Sequence, residues 1–474
     1  MAKAKKKESL SLEEKLEQAL VPINEQPYEL PDNWCWIKAG TLFLHQHGFA
    51  FKSKDYIEKS DVLNCRMSNI RPDGKFDCEY KKAYLPNEYY EKYRDYIVKD
   101  GDVIVALTDM ASENPKILGL PTIVYTNGYK MLLNQRVLKI VPYDDRTKKY
   151  INYVLHHMCI TQFRNKLKGS GSLQINLKTD DITGLSIPLP PINEQQRILE
   201  QIESLFAKLD EAKDKIQEVL SGYQYRKTMI IHNAFAGNYT KAWREKKDYS
   251  IDDWKHLTLN DVAEYKKGPF GSSITKAMFV PKSSNTYKVY EQGNAIRKTI
   301  DYGSYYITEE KYQELKGFAV QAGDIIISCA GTIGEVYKLP EDCEAGVINQ
   351  ALMRVRTFDN VDEKFFIYYF GEVLKGDVNE QANGTAIKNI PPFKIMKAME
   401  IELPTLEEQR EIVALLDKVL DSEKQSEDAL NVMIEQIQLM KKSILAKAFR
   451  GELGTNNPDE ESAVELLKSI LVNE

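Results

Sequence analysis

Apolar side chains recur at alternating three- and four-residue steps in two separated stretches of the sequence. They fall at Ile198, Ile202, Leu205, Leu209 and Ile216 in the first stretch, where Ala212 fills the step between the last two. In the second they fall at Ile412, Leu416, Val419, Leu430, Met433 and Ile437, and Glu423 and Ser426 interrupt the pattern. Such steps place the apolar side chains on one face of an α-helix and are typical of helices that pair as a coiled coil. The pattern predicts two helices of about 40 residues, each about 60 Å long.

The same motifs begin and end both stretches. The segment Leu189-Pro190-Pro191-Ile192-Asn193-Glu194-Gln195 recurs as Leu403-Pro404-Thr405-Leu406-Glu407-Glu408-Gln409, and Ala234-Phe235-Ala236-Gly237 recurs as Ala448-Phe449-Arg450-Gly451. Both recurrences have the same offset of 214 residues. The chain is therefore a duplication in which the helical segments have equal length.

The ends of the two helices follow from the residues at each motif. Thr405 and Glu408 form the T-x-x-E pattern of a capping box, whereas Pro191 stands in the place of Thr405. Gly237 and Gly451 occupy the left-handed position that ends a helix. Equal lengths favour an antiparallel pair with an internal pseudo-twofold. The alternative is that each helix packs only on its own globular domain.

A variable globular domain precedes each helix. The sequence predicts strands over 102–107, 122–125, 136–141, 324–329 and 351–357, and helices over 150–167 and 363–374, which is an α+β class. Short repeats support equivalence of the domains, since Asn134-Gln135 recurs as Asn349-Gln350 and Gly171-Ser172 resembles Gly384-Thr385. The predicted segments are 1–29 (N-terminal helical or tail segment), 30–188 (first domain), 189–240 (first long helix), 241–403 (second domain, with a linker at 241–253), 404–453 (second long helix) and 454–474 (acidic tail).

The composition indicates a soluble globular protein, with 43% hydrophobic and 28% charged residues. No apolar run reaches the length of a membrane span, and the Lys-rich N-terminus lacks the apolar core of a secretory signal. The six cysteines form no CxxC pair. A zinc site and a disulfide framework are therefore not expected. We expect a reducing cytoplasmic location.

The net charge of −6 is unevenly distributed. Acids outnumber bases in residues 193–222, 407–438 and 452–474, so the rest of the chain is mildly basic. For contact with DNA the local field matters more than the total charge.

Basic, amide and aromatic residues crowd the first third of each globular domain. Arg pairs well with guanine edges, Asn and Gln with adenine, and Lys mostly with phosphate. The predicted DNA contacts are Lys52, Lys54, Tyr56, Arg66, Asn69, Arg71, Lys266, Lys267, Ser272, Ser273, Tyr290, Gln292, Asn294 and Arg297. The segment Gly268-Pro269-Phe270-Gly271 predicts a tight turn between two groups of these residues.

Catalytic motifs are not supported by their spacing. The segment Asn389-Ile390-Pro391-Pro392-Phe393 is close to the N-P-P-F motif of amino-methyltransferases, but Ile390 interrupts it. Asp73 and Glu79 resemble a nuclease carboxylate pair, although a turn at Pro72-Asp73-Gly74 explains this segment better. No phosphate-binding glycine loop is present, and neither catalytic residues nor a metal site are predicted.

The duplicated L-P-x-x-x-E-Q helix starts, the A-F-x-G helix ends and the run from Ala19 to Trp34 together resemble the specificity subunit of type I restriction–modification systems. The resemblance implies a non-catalytic subunit whose two target recognition domains read the halves of a bipartite, asymmetric site in double-stranded DNA. It also implies two modification (methyltransferase) subunits as partners, and leaves open two ATP-dependent restriction subunits. S-adenosylmethionine, ATP and Mg²⁺ would be bound by those partners and no cofactor by this chain.

Two alternatives remain at this point. One is an enzyme that cuts or methylates DNA unaided, and the other is a coiled-coil adaptor that never contacts DNA.

Overall fold

The computed structural model describes residues 10–110, 116–164, 174–374 and 390–473. The chain divides into two compact units: unit 1 comprises Met1–Lys215 and Met433–Glu474, and unit 2 comprises Ile216–Val432. Both boundaries fall inside long helices, Ile192–Ser221 and Leu406–Ala448. Each unit therefore combines one globular domain with parts of both helical stretches.

Unit 1 contains two four-stranded sheets, ordered β2-β10-β6-β8 and β4-β3-β9-β5, and two strand pairs, β1-β12 and β11-β7. Its strands are β1 (Cys35–Lys38), β2 (Phe43–His47), β3 (Val62–Cys65), β4 (Tyr84–Leu85), β5 (Ile97–Val98), β6 (Val103–Ala106), β7 (Thr108–Met110), β8 (Pro121–Ile123), β9 (Lys130–Leu133), β10 (Val137–Pro142), β11 (Gln174–Asn176) and β12 (Ser186–Leu189).

Unit 2 repeats this plan with the sheets β14-β21-β18-β19 and β16-β15-β20-β17 and the pair β13-β22. Its strands are β13 (Lys255–Thr258), β14 (Ala263–Lys267), β15 (Thr286–Tyr290), β16 (Tyr306–Thr308), β17 (Ala319–Val320), β18 (Ile325–Ser328), β19 (Val336–Lys338), β20 (Gly346–Ile348), β21 (Leu352–Thr357) and β22 (Glu400–Leu403). In both units the second sheet contains one parallel pair, β3 with β9 and β15 with β20.

The apolar runs of β6 and β18 are buried on both faces. Val103 and Val105 belong to the main core of unit 1, whereas Ile104 and Ala106 point into a second core between the sheets. In β18, Ile325 and Ile327 join the main core of unit 2, and Ile326 joins a smaller one. Because both faces are covered, these strands are continuously apolar rather than alternating.

The predicted strands and domain helices are confirmed, with shifts of a few residues at their ends. Helices over Lys148–Met158 and Glu363–Tyr368 each continue into a π-helical turn, Cys159–Arg164 and Tyr369–Leu374. The other helices are Leu12–Ala19, Tyr89–Lys92, Thr179–Thr183, Tyr223–Phe235, Lys241–Lys247, Gln292–Arg297, Glu309–Glu314, Phe393–Lys397 and Ala463–Asn473. No helix in these ranges is long and apolar enough to cross a membrane.

The helix ends confirm the predicted glycine stops. Gly237 and Gly451 both have φ of +74°. The amide of Asn238 donates to the carbonyl of Asn233 at 3.0 Å, and that of Glu452 donates to Lys447 at 2.9 Å. These bonds satisfy carbonyls that the helix leaves without a partner at its end.

The long helices pair in opposite directions within each unit. In unit 1, Glu194 is bonded to Thr455, and sixteen residues later Asp210 lies 2.6 Å from Lys441. In unit 2, Arg226 lies 3.2 Å from Glu423. The helices also contribute to the domain cores, through Ile198 in unit 1 and Ile412 in unit 2. The predicted pairing is confirmed, and the alternative that each helix packs only on its own domain is not.

Most predicted seam residues lie on the covered face. Ile198, Ile202, Ile412, Leu416 and Ile437 are buried, and Leu205, Leu209, Ile216, Val419 and Leu430 are half-buried. The prediction is wrong for Met433, which is 51% exposed. The seam continues from Leu430 to Ile434, four residues on, and Glu423 belongs to it because Arg226 pairs with its carboxylate.

The first helical stretch is interrupted, which the sequence did not predict. Ile192–Ser221 and Tyr223–Phe235 are separated at Gly222. There the guanidinium of Arg226 donates to the carbonyl of Val219 at 3.0 Å, so a side chain replaces part of the backbone ladder. A Cβ added at Gly222 would lie 2.9 Å from this guanidinium.

The capping box is formed on one side only. The Thr405 hydroxyl accepts from the amide of Glu408 at 3.3 Å. The carboxylate of Glu408, however, accepts from Thr240, Arg244 and Trp254. The predicted return bond to Thr405 is therefore replaced by bonds that fasten the helix start to residues after Gly237.

The segment predicted as an acidic tail contains the helix Ala463–Asn473. Ala463, Leu467 and Ile470 of this helix are buried in the core of unit 1. The N-terminal helix packs beside it, since the Lys15 ammonium donates to the carbonyl of Leu471 at 2.9 Å. The two ends of the chain thus stabilise the same unit.

Candidate nucleic-acid interface

Three segments meet where the strands of unit 1 end. The amide of Phe49, after β2, donates to the carbonyl of Leu133 at 2.8 Å, and that of Asn134 donates to Cys65 at the end of β3 at 3.0 Å. A Cβ added at Gly48 would lie 2.2 Å from the carbonyl oxygen of Asn134. Glycine is therefore required where the first strand passes the Asn134 turn.

Unit 2 has the same meeting point. The amide of Gly268 donates to Leu352 at 2.9 Å, and that of Asn349 donates to Tyr290 at 3.0 Å. A Cβ added at Gly268 would lie 1.8 Å from the carbonyl oxygen of Asn349. We define the strand-end edge as residues 47–50, 66–71 and 134–136 in unit 1, and residues 267–271, 291–297 and 349–351 in unit 2.

Three of the predicted DNA contacts hold the fold instead. Asn69 and Asn294 are buried, and their side-chain oxygens accept from the amides of Arg66 and Glu291, both at 2.8 Å. Tyr290 is also buried, with its hydroxyl donating to the carbonyl of Glu344 at 2.8 Å. Because these polar groups are already used inside the units, the prediction of a base contact is withdrawn for all three.

An arginine stacked on a tyrosine follows the buried asparagine in each unit. The guanidinium of Arg71 lies 3.7 Å from the ring centre of Tyr80, and that of Arg297 lies 4.7 Å from the ring centre of Tyr302. Hydrogen bonding to Arg71 lowers the pKa of Tyr80, with a further contribution from the charge of Lys81. The stack restricts the guanidinium while leaving its edges able to donate.

The remaining candidates of unit 1 differ in exposure and in the hydrogen bonds of their side chains. Lys52 and Lys54 are exposed, next to a turn in which the Lys52 amide donates to Asp55 at 2.7 Å. Tyr56 is half-buried, and its hydroxyl accepts from the side-chain amide of Asn64 at 2.7 Å. Arg66 is half-buried and donates to the carbonyl of Lys81. The two lysines are thus free to follow a phosphate, whereas Tyr56 and Arg66 are fixed.

In unit 2, the candidates surround the tight turn at Gly268–Gly271. Phe270 is 87% exposed at its tip, and Pro269 beside it is buried. Lys267 and Ser272 are exposed, Ser273 is half-buried, and Lys266 lies 4.9 Å from the ring centre of Phe318. Gln292 is half-buried, and its side-chain oxygen has no hydrogen-bond partner among the described residues.

The catalytic motifs rejected from their spacing have structural explanations. Gly74 has φ of +82°, and its amide donates to Arg71 at 2.9 Å, so Pro72-Asp73-Gly74 is a turn. Glu79 pairs with Lys82. Asn389 lies outside the described residues. Within the described ranges, no group of three His, Cys, Asp or Glu side chains could hold a metal ion.

Residues 31–221 and 251–436 match the protein family described as type I restriction modification DNA specificity domain. The chain belongs to this family. The EcoBI specificity subunit of Escherichia coli, a type I restriction enzyme component, is 25% identical over 93% of this chain and 92% of the relative. The putative MjaX specificity subunit of Methanocaldococcus jannaschii is 23% identical over 90% and 95%.

Solved structures share the fold of this specificity-domain chain. A chain from a study of assembly and conformational transition of the type I R-M system matches with a TM-score of 0.63 and 20% identity, over 90% of this chain and 100% of that one. The HsdS subunit of Thermoanaerobacter tengcongensis matches with a TM-score of 0.54 and 19% identity, over 91% and 100%.

The candidate list from the sequence omitted two residues of the strand-end edges. Gln135 and Gln350 are exposed at equivalent positions of the two specificity domains, each directly after the asparagine that Gly48 or Gly268 approaches. Their signal was present, because the Asn-Gln pair recurs in the sequence. The sequence alone did not show that the asparagine points inward and the glutamine outward.

Proposed function

We propose that the chain is the sequence-specific DNA-binding subunit of a type I restriction–modification complex, and that each unit reads one half of a bipartite site. The observation that carries this proposal is the strand-end edge, which in both units brings a glycine against an asparagine and bonds the backbone amide of that asparagine to the last residue of the parallel strand. Arginines held on tyrosines and exposed amides lie along this edge. Exposed lysines lie on it (Lys267) or a few residues after it in the sequence (Lys52 and Lys54). These are the groups that contact guanine edges, phosphates and adenine edges in DNA complexes.

The two half-sites differ in sequence. Directly before the turn Met67–Asn69, unit 1 has Arg66. Directly before the equivalent helix Gln292–Arg297, unit 2 has Glu291. After the Asn-Gln pair, unit 1 has Arg136 and unit 2 has Ala351. A cation favours an acceptor-rich guanine edge and a carboxylate favours a donor such as the cytosine amino group. Edges that carry different charges at these two equivalent positions therefore favour an asymmetric target.

The catalytic steps belong to partner subunits. Two modification subunits would supply S-adenosylmethionine-dependent methylation, and two restriction subunits, where present, would supply ATP- and Mg²⁺-dependent cleavage. This chain would bind none of these cofactors, and its contribution is to place the partners at the target sequence.

The helical stretches set the spacing between the half-sites. Each runs from one unit into the other, and half-sites on the same face of DNA are separated by about 34–36 Å for each helical turn. Inserting one heptad into either helix should impair or respace recognition while leaving each domain folded. Recognition with an unchanged spacer would contradict this role of the helices.

The DNA contact is tested with the full chain assembled with its modification subunits. We expect Arg71→Ala and Arg297→Ala each to weaken binding to the target duplex by roughly 5- to 150-fold. The matched control is Arg146→Ala, which removes an exposed arginine paired with Asp144 outside the strand-end edge. Binding that is equally strong in all three variants would contradict the proposal.

A further inference from the structure

Gln135 and Gln350 are identical side chains on edges that otherwise differ. Each follows a largely buried asparagine directly. Both side chains are exposed, and neither side-chain amide has a hydrogen-bond partner among the described residues. Both amides are therefore available to an external ligand.

The backbone that carries each glutamine is fixed from several sides. The side-chain oxygen of Asn134 accepts from the amide of Arg136 at 3.1 Å, and that of Asn349 accepts from Ala351 at 3.0 Å. The amide of Gln135 donates to the carbonyl of Phe49 at 3.1 Å. The asparagine and the backbone thus form the turn, and the glutamine side chain is not needed for it.

The glutamines lie centrally along the strand-end edges. The backbone of Asn349 contacts Gly268 on one side. On the other side its amide donates to Tyr290, which lies just before the helix Gln292–Arg297. A Cβ added at Gly271 would lie 3.8 Å from the side-chain amide of Gln350. The side-chain amide of Gln350 therefore lies beside the tight turn at Gly268–Gly271.

We propose that Gln135 and Gln350 each read an adenine at matching positions of the two half-sites. A carboxamide accepts from adenine N6 and donates to N7, which is the favoured pairing for glutamine in the major groove. Two identical, free amides on edges of differing composition point to a feature that both half-sites share. This inference rests on the proposed function and adds the identity of one base in each half.

The test is selection of bound duplexes from a library with both half-sites randomised, using the full chain with its modification subunits. For the unaltered chain we expect adenine to be enriched at matching positions of both halves. Gln350→Ala should lower discrimination at one position of one half by roughly 5- to 150-fold, and Gln135→Ala should do so only in the other half.

Matched controls remove an exposed glutamine elsewhere in each unit. Gln313→Ala and Gln196→Ala delete side chains that bond Glu309 and Glu200 and lie outside the strand-end edges. Both should leave the selected site unchanged. A loss of adenine preference in these controls that equals the loss in Gln350→Ala and Gln135→Ala would contradict the inference.

A second variant distinguishes base reading from a structural role. Gln350→Glu retains the size of the side chain but only accepts, which favours the amino group of cytosine over adenine. A change from adenine to cytosine at that single position is the expected result. Unchanged preferences in all glutamine variants, with a bipartite site still selected, would overturn this inference alone. Failure of the unaltered chain to select any bipartite site would overturn the proposed function, and this inference with it.

Discussion

Each unit has a buried glutamate at the start of its long helix, and the two units bind the carboxylate of this glutamate with different donors. In unit 1, Glu194 accepts from Trp34 at 2.7 Å, Asn456 at 2.9 Å and Thr455 at 3.3 Å, all of which are neutral donors. Glu194 lies in the first turn of the first long helix. Its donors come from residues near the two ends of the chain.

In unit 2, the equivalent Glu408 accepts from Trp254 at 2.9 Å and Thr240 at 2.7 Å, and also from the guanidinium of Arg244 at 2.5 Å. Both Glu408 and Arg244 are buried. The tryptophan and threonine bonds are thus duplicated, whereas a buried ion pair occurs in unit 2 and neutral donors take its place in unit 1. The two units thus place the glutamate in the same way, but they differ in the groups that compensate its buried charge.

The largest effect is expected when each glutamate is removed. Glu408→Ala leaves Arg244 buried without its partner, and we expect a loss of about 3–5 kcal/mol in the free energy of unfolding. Glu194→Ala leaves neutral donors unpaired, for which about 1–3 kcal/mol is expected. Denaturant unfolding followed by tryptophan fluorescence measures both. An equal or larger loss in Glu194→Ala would contradict the comparison.

A smaller effect depends on pH and should be confined to unit 1. His157 packs against Phe449, 5.4 Å between ring centres. Burial, with a further contribution from Arg450, lowers the pKa of His157 from 6.5 to about 4. In unit 2, the equivalent ring of Phe235 meets Phe365 and Tyr369, which do not titrate in this range.

The sign follows from the lowered pKa. The unfolded chain binds a proton at His157 more readily than the folded chain, so stability is complete above about pH 6.5 and falls as the pH decreases towards 4. The loss is at most about 3 kcal/mol, from the size of the shift. His157→Phe should flatten this part of the stability profile in denaturant titrations. A profile that keeps its slope between pH 6.5 and 4 would exclude His157 as its source.

The smallest effects are expected at the ion pairs between the helices. Arg226→Ala and Lys441→Ala remove partners of Glu423 and Asp210 that are partly exposed, so each should reduce stability by no more than about 1 kcal/mol. The two losses should be similar, because each side chain makes a second contact. Arg226 donates to the carbonyl of Val219 at 3.0 Å, and the Lys441 ammonium lies 4.9 Å from the ring centre of Phe206. Thermal unfolding at low and high salt measures both losses of stability. A loss above about 2 kcal/mol for either variant would contradict the small contribution expected of partly exposed ion pairs.

The long helices and the buried strands could be predicted from the sequence because each pattern that indicates them lies within a single element. The three- and four-residue steps, the glycine stops at Gly237 and Gly451 and the apolar runs of β6 and β18 each depend on one element. Met433 was misplaced because it lies one position from Ile434, and only the opposing surface decides which is covered. The break at Gly222 depends on where the Arg226 side chain turns, which periodicity does not encode.

The candidate interface was harder to predict because residue type does not give direction. Asn69, Tyr290 and Asn294 have side chains suited to DNA, but they point inward and complete turns. Gln135 and Gln350 have the same chemistry and point outward. Burial separates the two groups, and it is set by the pairing of strands that are distant in sequence, such as β3 with β9 and β15 with β20.

The most direct test of two independent units is exchange of residues 254–400 for the equivalent domain of a relative that retains the tryptophan bonded to Glu408. The modified sites in cells that carry the exchanged chain and its modification subunits would then be mapped by methylome sequencing. We predict that one half of the methylated site changes while the other half remains the same. A site that is unchanged, or altered in both halves, would contradict the account.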